Sequence, residues 1–379
     1  MSLLSGVYGR AASFRRAWYG RHPDRTRQLD QPVISVGNLT VGGSGKTPVV
    51  ATLARLLIAS GERPAILTRG YGRRRTSDGV VVVSNGHDIL VPTLESGDEP
   101  QMLARALPHV PVLVSSDRYL AGRLAECTFG CTVHLLDDGF QHVQLARDID
   151  LLLIAAADMD ERLLPWGRLR ESLETASVAD ALLVSESEDT ARSVGDRLGI
   201  APTFRVVTRY GSPRFVDSRV GVPELGQRIV AVAGIARPER FFAALGAEGA
   251  EHDGGERDGG EYSHVAREIV FRDHHWFSHR DLAAIQRTAT DAGASLIVTT
   301  EKDAMRLDGV GDAASGVPWA FLPQQVDVEP DQTFAVWIDE RLRAARDSRR
   351  LGSVQAGVPA VQVPVAGVAL RSDDGGEAA

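Results

Sequence analysis

The chain has 379 residues, 43% of them hydrophobic and 24% charged, with a formal net charge of -8 at pH 7. That balance is ordinary for a soluble globular chain of two domains or one enlarged domain, and its acidic sign argues against a general nucleic-acid binder, whose footprint is basic. Two cysteines, Cys127 and Cys131, are too few for a disulfide framework or a four-ligand zinc site, which suits reduced thiols in a cytosolic protein; no apolar run reaches the ~18 residues of a membrane span.

Residues 1–27 hold six arginines and one acid, Asp24, with Leu3, Leu4, Val7, Tyr8, Ala11, Phe14 and Trp18 at three- and four-residue spacing. This pattern predicts a basic amphipathic helix. Composition leaves two readings open: a helix lying in a membrane interface, or a first helix packed on the protein's own body with its arginines wet. The segment lacks the apolar core of a secretory signal.

The run 33–36 reads as a buried strand, and Val49, Val50, Leu53, Leu56 and Leu57 give a helical period. Between them stands Gly42-Gly43-Ser44-Gly45-Lys46-Thr47. Strand, glycine-rich turn and helix in that order form the phosphate-binding loop of a nucleotide hydrolase or kinase. Backbone amides from Thr40, Val41, Gly42, Gly43, Ser44 and Gly45 would surround the phosphates, Lys46 would reach the terminal ones, and Thr47 would hold Mg²⁺. Lys46 is one of only two lysines among 42 basic residues, kept where an ammonium meets a phosphate. Thr40 departs from the usual glycine at its position, and Gly42 and Gly43 supply the freedom instead.

Further apolar runs at 65–68, 111–114, 133–136, 151–155 and 181–184 alternate with helix-length segments such as 99–107 and 117–126. The alternation predicts an α/β fold, a P-loop NTPase-like, doubly wound and mostly parallel sheet. Runs 80–83 and 89–92 flank Asn85-Gly86 and predict a hairpin. After about residue 225 the pattern restarts at 229–233, 296–299 and 318–322, a second, smaller α/β domain. The predicted division is an amphipathic helix at 1–27, a kinase core at 28–225, a smaller domain at 226–345 and a disordered tail at 346–379, with an acidic low-complexity loop at 251–261.

Chemistry-bearing residues cluster after the strands. Arg69 and Arg73 lie in a glycine-rich loop, and Arg118 follows Ser115-Ser116-Asp117. Such arginines fork onto anionic ligands or form a solvated charge run. Asp98-Glu99 opens a helix before Pro100, as cap or as catalyst. Asp137-Asp138 ends a strand where a magnesium-holding carboxylate belongs. Arg170 and Glu171 close another arginine-rich turn after Trp166. In Asp273-His274-His275-Trp276, adjacent histidines point apart, so one is functional and the other structural. Thr300-Glu301-Lys302-Asp303 holds the second lysine but is not a guanine reader.

In this order the motifs resemble the tetraacyldisaccharide 4'-kinase family, through 37–48, Arg69-Gly70-Tyr71-Gly72, Gly97-Asp98-Glu99-Pro100, 137–142, 167–171, Asp273-His274 and 300–303. The resemblance spans roughly residues 5–340 and accommodates Thr40. It implies transfer of the ATP γ-phosphate to the 4'-hydroxyl of an acylated glucosamine disaccharide 1-phosphate, giving lipid IVA. It also implies a peripheral enzyme on the cytoplasmic face of the inner membrane, with the first helix at the membrane surface. ATP and Mg²⁺ are the expected cofactors; no segment marks a protein partner or a nucleic acid. Catalysis would use Lys46 and Asp138, with Asp98 as base and His274 orienting it. Thr47, Glu99 and Asp138 would serve the metal, with Asp137 and His142 in support. Arg69, Arg73, Arg118, Arg170 and Glu171 would meet the substrate. The rival reading, a nucleotide-driven switch or metallochaperone, lacks a metal-rich segment or guanine motif.

Overall fold

The computed structural model describes residues 3–43, 45–75, 78–216, 223, 226–246, 263–307 and 316–356, and only the backbone of 3–8, 10–12, 263 and 352–356. Ser44, the acidic loop 251–261 and the tail beyond 356 lie outside the described residues.

The first unit contains α1 (Leu3–Arg21), β1 (Val33–Asn38), α2 (Lys46–Ala59), β2 (Pro64–Thr68), β3 (Val81–Asn85), α3 (Thr93–Ser96), α4 (Asp98–Ala106) and β4 (Pro111–Val114). It continues with α5 (Arg118–Phe129), β5 (Val133–Asp137), β6 (Ile149–Ile154), β7 (Ala181–Val184), α6 (Glu188–Leu198) and β8 (Thr203–Tyr210). The second holds β9 (Arg214–Phe215), β10 (Gln227–Ala233), α7 (Pro238–Gly246), β11 (Ser263–Val270), α8 (His279–Asp291), β12 (Leu296–Thr300), α9 (Glu301–Leu307) and β13 (Trp319–Leu322). The chain then closes with β14 (Gln324–Glu329) and α10 (Asp331–Ala356).

Among the described residues the larger sheet has nine strands, in the order β14-β8-β7-β6-β1-β5-β2-β4-β3. The seven inner strands are parallel, and β14 and β3 are antiparallel edges. Strands β1, β2, β4, β5, β6 and β7 are buried along their whole length, which is why they read as unbroken apolar runs rather than alternating ones. On one face Val49, Leu53 and Leu57 of α2, with Leu103 of α4, pack on Ile34, Ile66 and Leu151. On the other, Ala121 and Ala125 of α5 meet Leu67, Leu113 and Leu136. Each large side chain so buried contributes about 1.5–3 kcal/mol. Strand β1 lies between β5 and β6, so the crevice at its carboxyl end is the switch point where such sheets bind ligands.

Of two sequence expectations, one is corrected and one is shortened. The second unit does not run to 345: β14 pairs with β8 from Gln324↔Tyr210 to Glu329↔Arg205, returning the chain to the larger sheet. Phe334, Ile338 and Leu342 of α10 then enter that sheet's core, and Arg346 and Arg349 bond Glu62 and Asp148 at 2.7 and 2.6 Å. These anchors carry α10 to Ala356, through residues where the sequence predicts a tail. The hairpin about Asn85-Gly86 forms but is short, held by the bridge Ser84↔Ile89 and by the Leu90 amide donating to Val83 O at 2.8 Å. Strand β3 also pairs with β4, and Ile89 and Leu90 stay exposed.

The smaller sheet, β11-β10-β12-β13-β9, is parallel except for β9. Helix α9, following β12, packs on α4 and joins the two units.

Candidate active site

From Asn38 the chain turns with Gly42 at φ 102° and Gly45 at φ 83°, left-handed positions that side chains resist, and α2 begins at Lys46. The turn is held from outside. Thr40 pairs with Leu169, the Val41 amide donates to Arg168 O at 2.8 Å, and Arg170 Nε donates to Thr40 O at 3.0 Å. Thr40 and Val41 therefore brace the loop through the Val41 amide and the Thr40 carbonyl. Lys46 Nζ donates to Asn38 Oδ1 at 3.1 Å and stands 3.5 Å from Asp138 Oδ1.

The acidic pair divides differently from the sequence expectation. Thr47 Oγ1 donates to Asp137 Oδ2 at 3.2 Å, while Asp138 accepts both terminal nitrogens of Arg170, at 2.9 and 3.0 Å. The carboxylate beside the threonine is Asp137, not Asp138. Burial, then the charges of Glu99 and Asp138, push Asp137 up to about 7 against the pull of Lys46 and Thr47. Burial acts upward on Asp138 too, but Lys46 and Arg170 outweigh it and bring it to about 2. Asp137 Oδ1 is buried with no hydrogen-bond partner among the described residues. An orphaned carboxylate oxygen beside a threonine hydroxyl fits a hard divalent cation, which at nucleotide sites takes one or two protein oxygens and completes its shell with phosphate and water. No group of three or more His, Cys, Asp or Glu side chains forms a metal cage among the described residues.

Asp98 and Glu99 open α4 and meet the second unit. Asp98 is 2% exposed; its Oδ2 lies 3.1 Å from His274 Nδ1 and accepts Arg306 Nε at 2.9 Å and Arg306 Nη2. Burial acts upward on Asp98, but His274, Lys302 and Arg306 together hold it well below the usual carboxylate range. Lys302 Nζ is 3.1 Å from both Glu99 Oε1 and His274 Nε2. An ammonium only donates, so Nε2 accepts and the ring proton sits on Nδ1, facing Asp98. His274 adopts φ 57°, and Trp276 Nε1 donates to Gly72 O at 3.3 Å beside it. His275 instead bonds Asp281 at 3.1 Å and stacks on Phe271, a structural role. Sequence reasoning passed over Arg306, although its spacing of four from Lys302 on a helix was a usable signal.

The arginines separate as well. Arg170 is spent on Asp138, Asn38, Gln141 and Thr40, and Glu171 on Arg16 at 2.8 Å. Neither presents a free charge to a substrate. Arg118 is 3% exposed, donates to Ser115 O at 2.9 Å, and keeps a buried Nε without a partner among the described residues, as does Arg73. Burial and then the like charge of Arg69 lower Arg118 to about 10, a strain that an anion between them would relieve. Nearby His142 is brought down to about 4 by burial, then by Arg118, Arg147 and Arg15.

On α1, Arg16 also donates to Phe140 O at 2.8 Å and stacks on the Phe140 ring, so it turns toward the body of the protein. Arg15 and Phe14 remain exposed, the latter by 67%. No helix among the described residues is long and apolar enough to cross a membrane.

Residues 1–343 match the family model described as tetraacyldisaccharide-1-P 4'-kinase. The tetraacyldisaccharide 4'-kinase of Syntrophus aciditrophicus is 37% identical over 365 residues, covering 90% of this chain and 92% of its own. That of Geobacter metallireducens is 38% identical over 315 residues, covering 82% and 88%. The crystal structure of LpxK from Aquifex aeolicus in complex with ATP superposes with a TM-score of 0.67 at 30% identity, covering 89% of this chain and 97% of that one.

Proposed function

The chain belongs to the tetraacyldisaccharide-1-P 4'-kinase family, and from that premise we propose that it moves the γ-phosphate of ATP to the 4'-hydroxyl of a tetraacylated glucosamine disaccharide 1-phosphate, at a membrane surface. It is a kinase of lipid A biosynthesis. The observation that carries the site assignment is the meeting of two halves. The loop of Lys46 and Thr47 lies beside Asp137, and Glu99, whose charge acts on Asp137, ties that loop to the Asp98–His274 pair through Lys302.

Phosphoryl transfer is mostly positioning and charge neutralisation. Lys46 and the amides from Gly42 to Thr47 hold the β- and γ-phosphates. Thr47 and Asp137 would hold Mg²⁺, with Glu99 as a further candidate carboxylate, and the ion would supply neutralisation of phosphate charge. Asp138, clamped by Arg170, keeps Lys46 aimed across the loop. Asp98 accepts the hydroxyl proton and His274 orients it. Arg69, Arg73 and Arg118, the last two with a buried Nε that has no partner among the described residues, take the 1-phosphate. The acyl chains remain in the bilayer, and α1 brings the enzyme to its cytoplasmic face through Phe14 and Arg15.

Purified protein incubated with ATP, Mg²⁺ and tetraacyldisaccharide 1-phosphate in mixed micelles should yield the 1,4'-bisphosphate and ADP in equal amounts. ATP hydrolysis without a phosphorylated lipid would refute the transfer and favour a nucleotide switch.

A further inference from the structure

Helix α9 presents Lys302 and Arg306 one turn apart, and both reach across to the first turn of α4. Arg306 is completely buried, a placement tolerated only when the whole guanidinium is matched. Its Nη1 donates to Asp303 Oδ1 at 2.8 Å, Gly234 O at 3.2 Å and His275 O at 3.4 Å. Asp303 is itself fixed by the Gly234 amide at 2.7 Å and the Thr300 hydroxyl at 2.8 Å. The fork is therefore locked in the second unit while its other edge meets Asp98 in the first.

The two oxygens of Asp98 are treated unequally. Oδ2 faces three donors: Arg306 Nε, Arg306 Nη2 and His274 Nδ1. Among the described residues Oδ1 accepts only the Glu99 amide, at 2.9 Å. A carboxylate oxygen offers about two lone-pair sites, so Oδ2 is filled and Oδ1 retains one.

We propose that Arg306 is a positioning residue of the transfer: with His274 it saturates Asp98 Oδ2 and so directs the acceptor hydroxyl to Oδ1. This rests on the reading of Asp98 as proton acceptor. In the step, the hydroxyl proton passes to Oδ1 and the acceptor oxygen bonds the γ-phosphorus. The bond from that phosphorus to its bridging oxygen breaks, and the electron pair leaves with ADP. Lysine at position 306 would keep the charge but lose the planar fork that spans Asp98 and Asp303.

The test compares full-length Arg306→Lys, Asp98→Asn and the double variant by thermal midpoint, KM for ATP and kcat. Arg306→Lys should remain folded, hold KM for ATP within about twofold and lose about tenfold to a hundredfold in kcat; in the Asp98→Asn background the same change should cost no more than about twofold. Full kcat in Arg306→Lys, or an equal loss in both backgrounds, overturns the proposal and leaves Arg306 as packing. If Arg306→Lys does not fold, Arg306→Gln combined with Asp303→Asn removes both buried charges and is judged by the same outcomes. An Asp98→Asn enzyme with wild-type kcat would instead remove Asp98 as acceptor, and the proposal with it. An inactive Asp98→Asn beside an unaffected Arg306→Lys sinks the positioning role alone.

Discussion

Asp137 and Asp138 are adjacent in the chain but turned apart: the first receives the Thr47 hydroxyl at 3.2 Å, the second receives Arg170 at 2.9 and 3.0 Å. The left-handed backbone of Asp138, φ 54°, makes that turn. It gives one carboxylate to a cation site and the other to the support of Lys46.

The pH dependence of stability follows from Asp137. Its folded-state value is raised from 3.8 to about 7, so between those values the folded chain binds more protons than the unfolded one. The stabilisation by the protonated form is full below about 3.8 and is lost as pH rises through about 7. Without divalent cation, the stability difference between wild type and Asp137→Asn should therefore shift in favour of the variant from pH 4 to pH 8, as measured by urea unfolding. A constant difference across that range would contradict the burial of a proton-binding Asp137.

Lys46→Ala should keep the thermal midpoint within a few degrees, because the lysine stands at the first position of α2, outside the apolar core. Losing a charge contact that strengthens during transfer costs on the order of 3 kcal/mol, about 10²-fold in kcat. Retention of more than about a tenth of wild-type kcat would remove Lys46 from the phosphate site.

Arg170→Gln should act mainly on ATP. It releases Asp138 and Asn38 together and leaves Thr40 O without its donor, so the loop loses its outer brace. KM for ATP should rise about tenfold or more, since losing hydrogen bonds to charged groups costs roughly 1.5–3 kcal/mol. A rise confined to the lipid acceptor's KM would restore Arg170 as a substrate contact.

Gly72→Ala probes the same cleft from the opposite wall. Gly72 has φ 76°, and an added Cβ would stand 3.1 Å from His274 Nδ1. The backbone strain costs roughly 1–2 kcal/mol, and the methyl displaces the ring from Asp98. Kinetics should show a fall in kcat with little change in KM for ATP; an unaffected kcat would show that His274 tolerates displacement.

Deleting residues 2–20 should lower affinity for anionic vesicles at least tenfold, since each basic residue near such a surface contributes about 1 kcal/mol, screened by salt. Vesicle co-sedimentation at two salt concentrations checks this. Arg16→Gln should leave vesicle binding nearly unchanged, because that side chain is directed to Glu171 and Phe140. Full binding by the truncated chain would place the attachment surface elsewhere.

By itself the sequence determined what is local. Buried parallel strands need apolar runs, and glycine-rich turns must follow them where backbone approaches a ligand, so β1, β2, β4, β5, β6 and β7, the loop before Lys46 and the acidic strand end all appear within windows of a few residues. Tertiary structure alone decided which partner each charged group met. Whether Asp137 or Asp138 stood beside Thr47 depended on a residue 32 positions away, Arg170, and the matching of Asp98 by Arg306 spans 208 positions. Strand β14 likewise alternates as any half-buried strand does, and nothing in its six residues names β8 as its neighbour. The reason is energetic: a helical or strand period is set by steric preference over adjacent residues, whereas ion pairing and sheet membership are settled by the desolvation and burial of the whole folded chain.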